Sequence, residues 1–259
     1  MPEDGQEFEL QHPPLIEAVL AVQFLPLAKW SLPHFGLFWQ TIRSEYPRFE
    51  LQQPIVAPES AATGTLFGAR LWFIDESDTR VLQVQNDRIV MNWRKRGEAS
   101  YPRYQIMRPQ MDELLQHFLR FLEQEDLGTL QGIRCDFSYV NHIDLEDLMS
   151  DGATFADLFP YWQGGATDFL KDGSTLLFSN TISLPGNGGI LTVAIQPAVS
   201  SELGKAMMQL TFSTTVVPQS LDAAGILTAL DLARSWDLQG FKEFTSIRAQ
   251  EKWGRRYSL

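Results

Sequence analysis

Thr79–Trp93 reads TRVLQVQNDRIVMNW. Leu82 and Val84 alternate with Gln83 and Gln85 ahead of Asn86-Asp87, and Ile89, Met91 and Trp93 alternate with Arg88, Val90 and Asn92 after it. A period of two is the signature of a strand with one buried side, and a short Asn-Asp connection suits a tight hairpin. This predicts strands over Thr79–Gln85 and Arg88–Trp93. Leu82, Val84, Ile89, Met91 and Trp93 would face a core. Gln83, Gln85, Arg88 and Asn92 would form an amide-rich side open to water, as one face of an antiparallel sheet commonly is.

Outward from the hairpin, Leu66–Ile74 completes a three-stranded set, with Asp75-Glu76-Ser77-Asp78 as its turn. Glu17–Phe24 alternates in the same way, and Glu50–Thr65 reads as a loop from its prolines and small residues. Phe35, Phe38, Trp39, Ile42 and Tyr46 recur at helical spacing between Pro33 and Pro47. Met111, Leu114, Leu115, Phe118, Phe121 and Leu122 make a second apolar stripe, with Pro109 in the first turn and Gly128 past the end. Met1–Gln11 is polar and reads as a loose lead-in.

The pattern then recurs. Ile133–His142 alternates; a short helix is expected at Thr154–Phe159; strands follow at Thr175–Ser183, Ile190–Gln196 and Met207–Thr214. Pro185–Gly189 joins two of them. Leu227, Leu230, Ala233, Phe241 and Phe244 mark a long final helix, weakened locally by Gly240, with a last turn beginning at Thr245 or Ser246. The fold expected is α+β, an antiparallel sheet covered on one face by long helices. Its halves, residues 13–128 and 129–254, would repeat the order β-α-β-β-β-α inside one integrated unit spanning 1–259. Amide and hydroxyl residues Thr192, Gln196, Gln209 and Thr211 would continue the open face in the second half.

Composition sets the outer bounds. The 259 residues are 44% hydrophobic and 20% charged, with a formal net charge of −11, ordinary values for a folded globular chain. The acidic balance disfavours a nucleic-acid binder held by phosphate neutralisation. One cysteine, Cys135, excludes an intrachain disulfide and a multi-cysteine metal site. No apolar run approaches the roughly 20 residues that span a bilayer, and the acidic start MPEDGQEFEL lacks the basic and apolar regions of a signal peptide. A cytoplasmic protein without a membrane partner is the expectation.

Sequence patterns for phosphate loops, dinucleotide folds, zinc proteases and serine hydrolases are missing. His12, His34, His117 and His142 have no helical metal spacing, and the acid-dense stretch from Asp112 to Asp172 does not follow a calcium-loop pattern. No catalytic residue, metal or cofactor is therefore expected. The segment with recognition chemistry is the one on either side of the hairpin turn, continued into the basic loop Arg94–Arg103. Gln83, Gln85, Arg88, Asn92, Arg94, Arg96, Tyr101, Arg103 and Tyr104 combine planar amides, guanidinium forks and rings, the groups that hold carboxylates, phosphates and stacked bases. Trp93 in the core, with the arginines paired to acids of this same chain, is the structural reading of the same residues.

Three stretches together carry a resemblance: Pro13-Pro14-Leu15-Ile16-Glu17-Ala18-Val19 through Phe24, Gln83–Arg94 followed by Tyr101-Pro102-Arg103-Tyr104, and the C-terminal Trp253-Gly254-Arg255. They resemble a sporadically distributed family of uncharacterised bacterial proteins of about the same length, whose members bring no assigned activity and no catalytic residues. Patchy occurrence of that kind is similar to the cargo of defence and toxin–antitoxin loci. The order of elements resembles the TATA-binding-protein class of folds, but the open face lacks the apolar wedges and basic flanks of a minor-groove saddle.

The function expected from all this is non-enzymatic binding or regulation by contact with a protein partner, or with a second copy as a homodimer. The alternatives are a nucleotide-ligand sensor using Arg94, Arg96 and Tyr104, and a metal-dependent phosphoesterase or nuclease using Asp87, Arg88, His142 and Asp144.

Overall fold

The computed structural model describes residues 8–55, 69–161, 176–200 and 204–257. The elements run β1 (Phe8–Leu10), β2 (Leu15–Phe24), α1 (Leu32–Ile42), β3 (Arg48–Gln52), β4 (Arg70–Ile74), β5 (Arg80–Gln85), β6 (Arg88–Arg94) and α2 (Tyr104–Gln124). After these come β7 (Gly132–Ile143), α3 (Leu145–Leu148), α4 (Phe155–Leu158), β8 (Phe178–Ser183), β9 (Ile190–Val199), β10 (Ala206–Val216), α5 (Ala223–Phe244), α6 (Ile247–Lys252) and β11 (Arg255–Tyr257). The protein is α+β, and its sheet is mostly antiparallel. Among the described residues no helix is long and apolar enough to cross a membrane.

The chain forms two compact units. Unit I comprises Ala18–Phe137 and Val216–Asp231; unit II comprises Met1–Glu17, Ser138–Thr215 and Leu232–Leu259.

In unit I the strands hydrogen-bond in the order β3-β4-β5-β6-β2. The ladders β3–β4, β4–β5 and β5–β6 are antiparallel, and Gln85 stands opposite Arg88. The hairpin thus closes on the expected two residues, Asn86 and Asp87. Phe38 of α1 and Phe118 and Phe121 of α2 pack ring against ring at 5.4 and 5.2 Å between centroids, and Phe38 reaches Phe73 of β4 at 6.2 Å. These rings are buried because their spacing puts them on one side of each element. Each contributes about 1.5–3 kcal/mol of transfer free energy.

Two boundaries differ from the sequence reading here. Helix α2 begins at Tyr104, behind Arg103 at φ +71°, so Pro109 lies inside the helix rather than in its first turn. Being in the second turn, Pro109 forfeits one backbone bond near an end where few are made, which the apolar stripe outweighs. Glu50–Thr65 is also not simply a loop: Arg48–Gln52 forms β3. Its alternation is short and flanked by Pro47 and Pro54, which masked it, while the rest of that stretch beyond Ile55 lies outside the described residues.

In unit II the order is β7-β10-β9-β8, with β8–β9 and β9–β10 antiparallel. Phe212 of β10 packs on Phe241 and Phe244 of α5 at 5.6 and 5.9 Å. Gly240, expected to weaken this helix, sits where a Cβ would meet Leu191 Cδ2 at 2.8 Å and the Phe212 ring at 3.3 Å. The close approach of helix to sheet requires it, and the packing gained offsets its poor helix propensity. The polar start of the chain, expected to be a loose lead-in, contains a strand, and residues 1–7 lie outside the described residues. Phe8–Leu10 pairs antiparallel with Arg255–Tyr257, so the two ends of unit II tie together. Nothing in a three-residue run could announce a partner so distant in sequence.

Candidate binding face

Side chains two apart on a strand share a face, and residues opposite one another in an antiparallel pair share it too. By the registers above, Arg70 and Trp72 of β4, Gln83 and Gln85 of β5, and Arg88, Asn92 and Arg94 of β6 occupy one face of unit I. This is the amide-rich side expected to be wet. It is not: Gln85 is fully buried, Asn92 is 4% exposed and Gln83 is 8% exposed. Burial of amides demands partners, because an unpaired buried polar group costs about 1–3 kcal/mol. The partners are present. Arg70 Nη1 donates to Gln83 Oε1 at 3.0 Å, and Gln83 Nε2 donates to Asn92 Oδ1 at 2.8 Å.

A second set continues along the face. Gln85 is clamped to the backbone of Ile55, accepting from its N–H and donating to its carbonyl, both at 3.0 Å. Gln85 also donates to Asp87 Oδ1 at 2.9 Å, and Arg88 forks onto the two Asp87 oxygens at 3.0 and 2.9 Å. The chain crossing at Ile55 helps to cover the face that alternation alone would have left open.

The third feature is the β4–β5 turn. Asp78, at φ +63°, accepts from Arg48 Nη2 at 3.1 Å, Arg94 Nη2 at 2.6 Å and Arg96 Nε at 2.5 Å. Partial burial presses its carboxyl upward, but the hydrogen bonds and charges of Arg96 and Arg94 outweigh that and hold it below the usual value. Arg94 also stacks over Trp72 with its Cζ 5.7 Å from the ring centre, and Arg70 does the same at 5.7 Å. The arginines are therefore paired within the chain, three of them on one carboxylate. Their acceptor is a neighbouring turn, not the acid-dense stretch that follows.

The remaining candidates separate. Tyr101 lies against Trp93, ring centroids 5.4 Å apart. Arg103 supplies the left-handed residue before α2. Tyr104 is buried: its hydroxyl donates to Asp231 Oδ1 at 2.6 Å and its ring meets Phe137 edge-on at 5.5 Å. Tyr104 thus anchors the start of α2 to α5 and is withdrawn from any surface site. Sequence reasoning missed Arg48, Arg70, Trp72 and Asp78. The Arg70–Trp72 alternation was legible, but it was read only as a strand.

A pocket of about 190 Å3 opens beside the hairpin, walled by Met91, Trp93 and Met107, with Thr79, Ser100 and Gln110 among its polar atoms. Drug-sized ligands occupy pockets of about 300–1,000 Å3, and neither Arg94, Arg96 nor Tyr104 lines this one. The groups considered for hydrolysis are engaged within their own units. In unit II, His142 Nε2 meets Gln209 Oε1 at 3.4 Å, and Asp144 caps α3 and pairs with Lys205 at 2.7 Å. Among the described residues, no three His, Cys, Asp or Glu side chains group as metal ligands do. The chain matches no protein-family model and no curated protein.

Proposed function

We propose that this is a non-enzymatic binding protein. It would dock an extended, acidic segment of a partner protein on the edge of unit I formed by β3. The observation that carries this reading is the side chains of that edge. Among the described residues β3 ends the strand order, with β4 as its hydrogen-bonded neighbour. Phe49 and Leu51 are 57% and 72% exposed on one side. On the other side stand Gln52 with Glu50, and at its near end Arg48, which shares Asp78 with Arg94 and Arg96.

An edge strand offers backbone groups to an added strand, whose alternate side chains then meet the two faces. Apolar residues of the partner would cover Phe49 and Leu51, and its carboxylates would meet Arg48 and Arg96, three guanidinium groups being more than one aspartate balances. The finer architecture belongs to the same proposal. Counting from the first strand of each half, β2-β6-β5-β4 and β7-β10-β9-β8 are the same order. With β3 set aside as an addition to the first half, this supports a repeated β-α-β-β-β-α plan, with the long helices on one face of the sheet.

The test is fluorescence anisotropy with synthetic peptides alternating Glu with Val or Leu, against the same peptides with Lys for Glu. Preference for the acidic series, weakened by salt and by Arg96→Glu and abolished by Phe49→Asp, is the expected result. Equal binding of both series overturns it, and so does turnover of nucleotides or phosphoesters with Mg2+ or Mn2+ that disappears in Asp144→Ala. Light scattering at rising concentration separates the case of a second copy pairing along β3, which would also overturn the acidic partner.

A further inference from the structure

The cations in the polar layer of unit I have a carboxylate partner at every point but one. Asp87 answers Arg88, and Asp78 answers Arg48, Arg94 and Arg96. Arg70 has Gln83 as its hydrogen-bond acceptor and, among the described residues, no carboxylate. Among the described residues its Nε is buried without a partner, and so is Nε1 of Trp72, the ring over which Arg70 lies. Glu50, opposite Trp72 on β3, is exposed and already accepts from Gln52 at 3.1 Å. Burial and the charge of Arg88 both press against the Arg70 cation, so the arrangement is costly as it stands. Two orphan donors beside a cation with no carboxylate partner point to the missing group: it is planar, has two acceptor oxygens and carries a single negative charge.

We infer that Arg70 and Trp72 form a binding site for a carboxylate on the amide face of β4. A carboxylate accepts one bond from each donor, and its charge balances Arg70, the strong form of hydrogen bond. A dianionic phosphate would bring one charge too many, since Arg88 is already held by both oxygens of Asp87. Gln83, fixed by Asn92, holds Arg70 from the far side and keeps the fork oriented. The site is distinct from the docking edge, because Arg48, Arg96, Phe49 and Leu51 take no part in it. Its carboxylate is either that of a free small acid or a glutamate side chain on a polypeptide.

The experiment titrates the whole chain with sodium acetate, N-acetylglutamate α-amide, inorganic phosphate and sodium chloride at matched ionic strength, read by thermal shift and calorimetry. Both carboxylates are expected to raise the midpoint above chloride and phosphate. Affinity should fall at least tenfold in Arg70→Gln and severalfold in Trp72→Phe, which keeps an aromatic ring and removes the donor. Lys29→Gln, an exposed cation of the same unit outside both sites, should leave carboxylate binding unchanged. Tighter binding of the glutamate amide than of acetate assigns the site to a polypeptide side chain; the reverse assigns it to a free acid. Carboxylate shifts no larger than those of chloride overturn the inference, as does full affinity in the Trp72→Phe protein.

Discussion

The polar faces of the two units began from the same pattern and ended differently. In unit I, Gln83, Gln85 and Asn92 are sealed into a network with Arg70, Arg88 and Asp87. In unit II, Thr192, Gln209 and Thr211 are half-buried and Gln196 is exposed. There the polar groups find one another in short neighbourly bonds: Gln209 Nε2 donates to Thr211 Oγ1 at 3.2 Å, and the hydroxyls of Ser138 and Ser213 share a hydrogen at 2.7 Å. Alternation specifies which side chains share a face. Whether that face is wet depends on what the rest of the chain lays over it.

The contrast can be broken or sharpened by substitution. The largest effect is expected at Asp87→Ala, which strands Arg88 and removes an acceptor from Gln85. Breaking such a buried pair costs about 3–5 kcal/mol, and urea denaturation should show it. Gln83→Met is close to glutamine in length but removes the acceptor of Arg70 and the donor to Asn92, so a loss of about 1–3 kcal/mol is expected. A loss below about 0.5 kcal/mol would mean that water reaches this face and the network is not sealed.

The two units also differ in how acidity should affect them. Asp237 of α5 is fully buried in unit II; burial pushes its carboxyl well above the usual range, against the Thr214 hydroxyl that donates to it at 2.5 Å. A raised acid contributes its stability fully below the unfolded carboxylate range and loses it as pH climbs toward the folded value. Asp237→Asn should therefore gain on the wild type as pH rises above the usual carboxylate range, by up to about 1.4 kcal/mol per pH unit. Asp78, held low in unit I, has the opposite sign: its contribution is present above the unfolded range and is lost as pH falls through the folded value. Asp78→Asn should flatten the acid limb of stability against pH and leave the alkaline limb unchanged. The smallest effect is Gln209→Ala, expected within about 0.5 kcal/mol, and a loss comparable to that at Gln83 would erase the distinction between the faces.

Much of the scaffold was legible because periodicity is local. The hairpin Arg80–Arg94, the buried ring stripe of α2 and the strands β7 to β10 follow from residues spaced by two or by three and four. The candidate site was legible in part. Arg94 and Arg96 do gather, but the carboxylate that gathers them, Asp78, lies in a turn some sixteen residues earlier. Tyr104 looked like a surface ring beside a basic loop and is instead tied to Asp231, a partner 127 residues away. Arg48 came from a segment whose strand was hidden between prolines.

By itself, the order of apolar and polar residues determined the element types, the two-residue hairpin and the α+β class, since each rests on backbone geometry over a few residues. Tertiary structure decided which polar face is closed, which carboxylate each arginine meets and where a cation is left over. Those outcomes depend on segments such as Ile55 and Asp78 arriving from elsewhere in the chain, and desolvation is set by every atom nearby, whatever its place in the sequence.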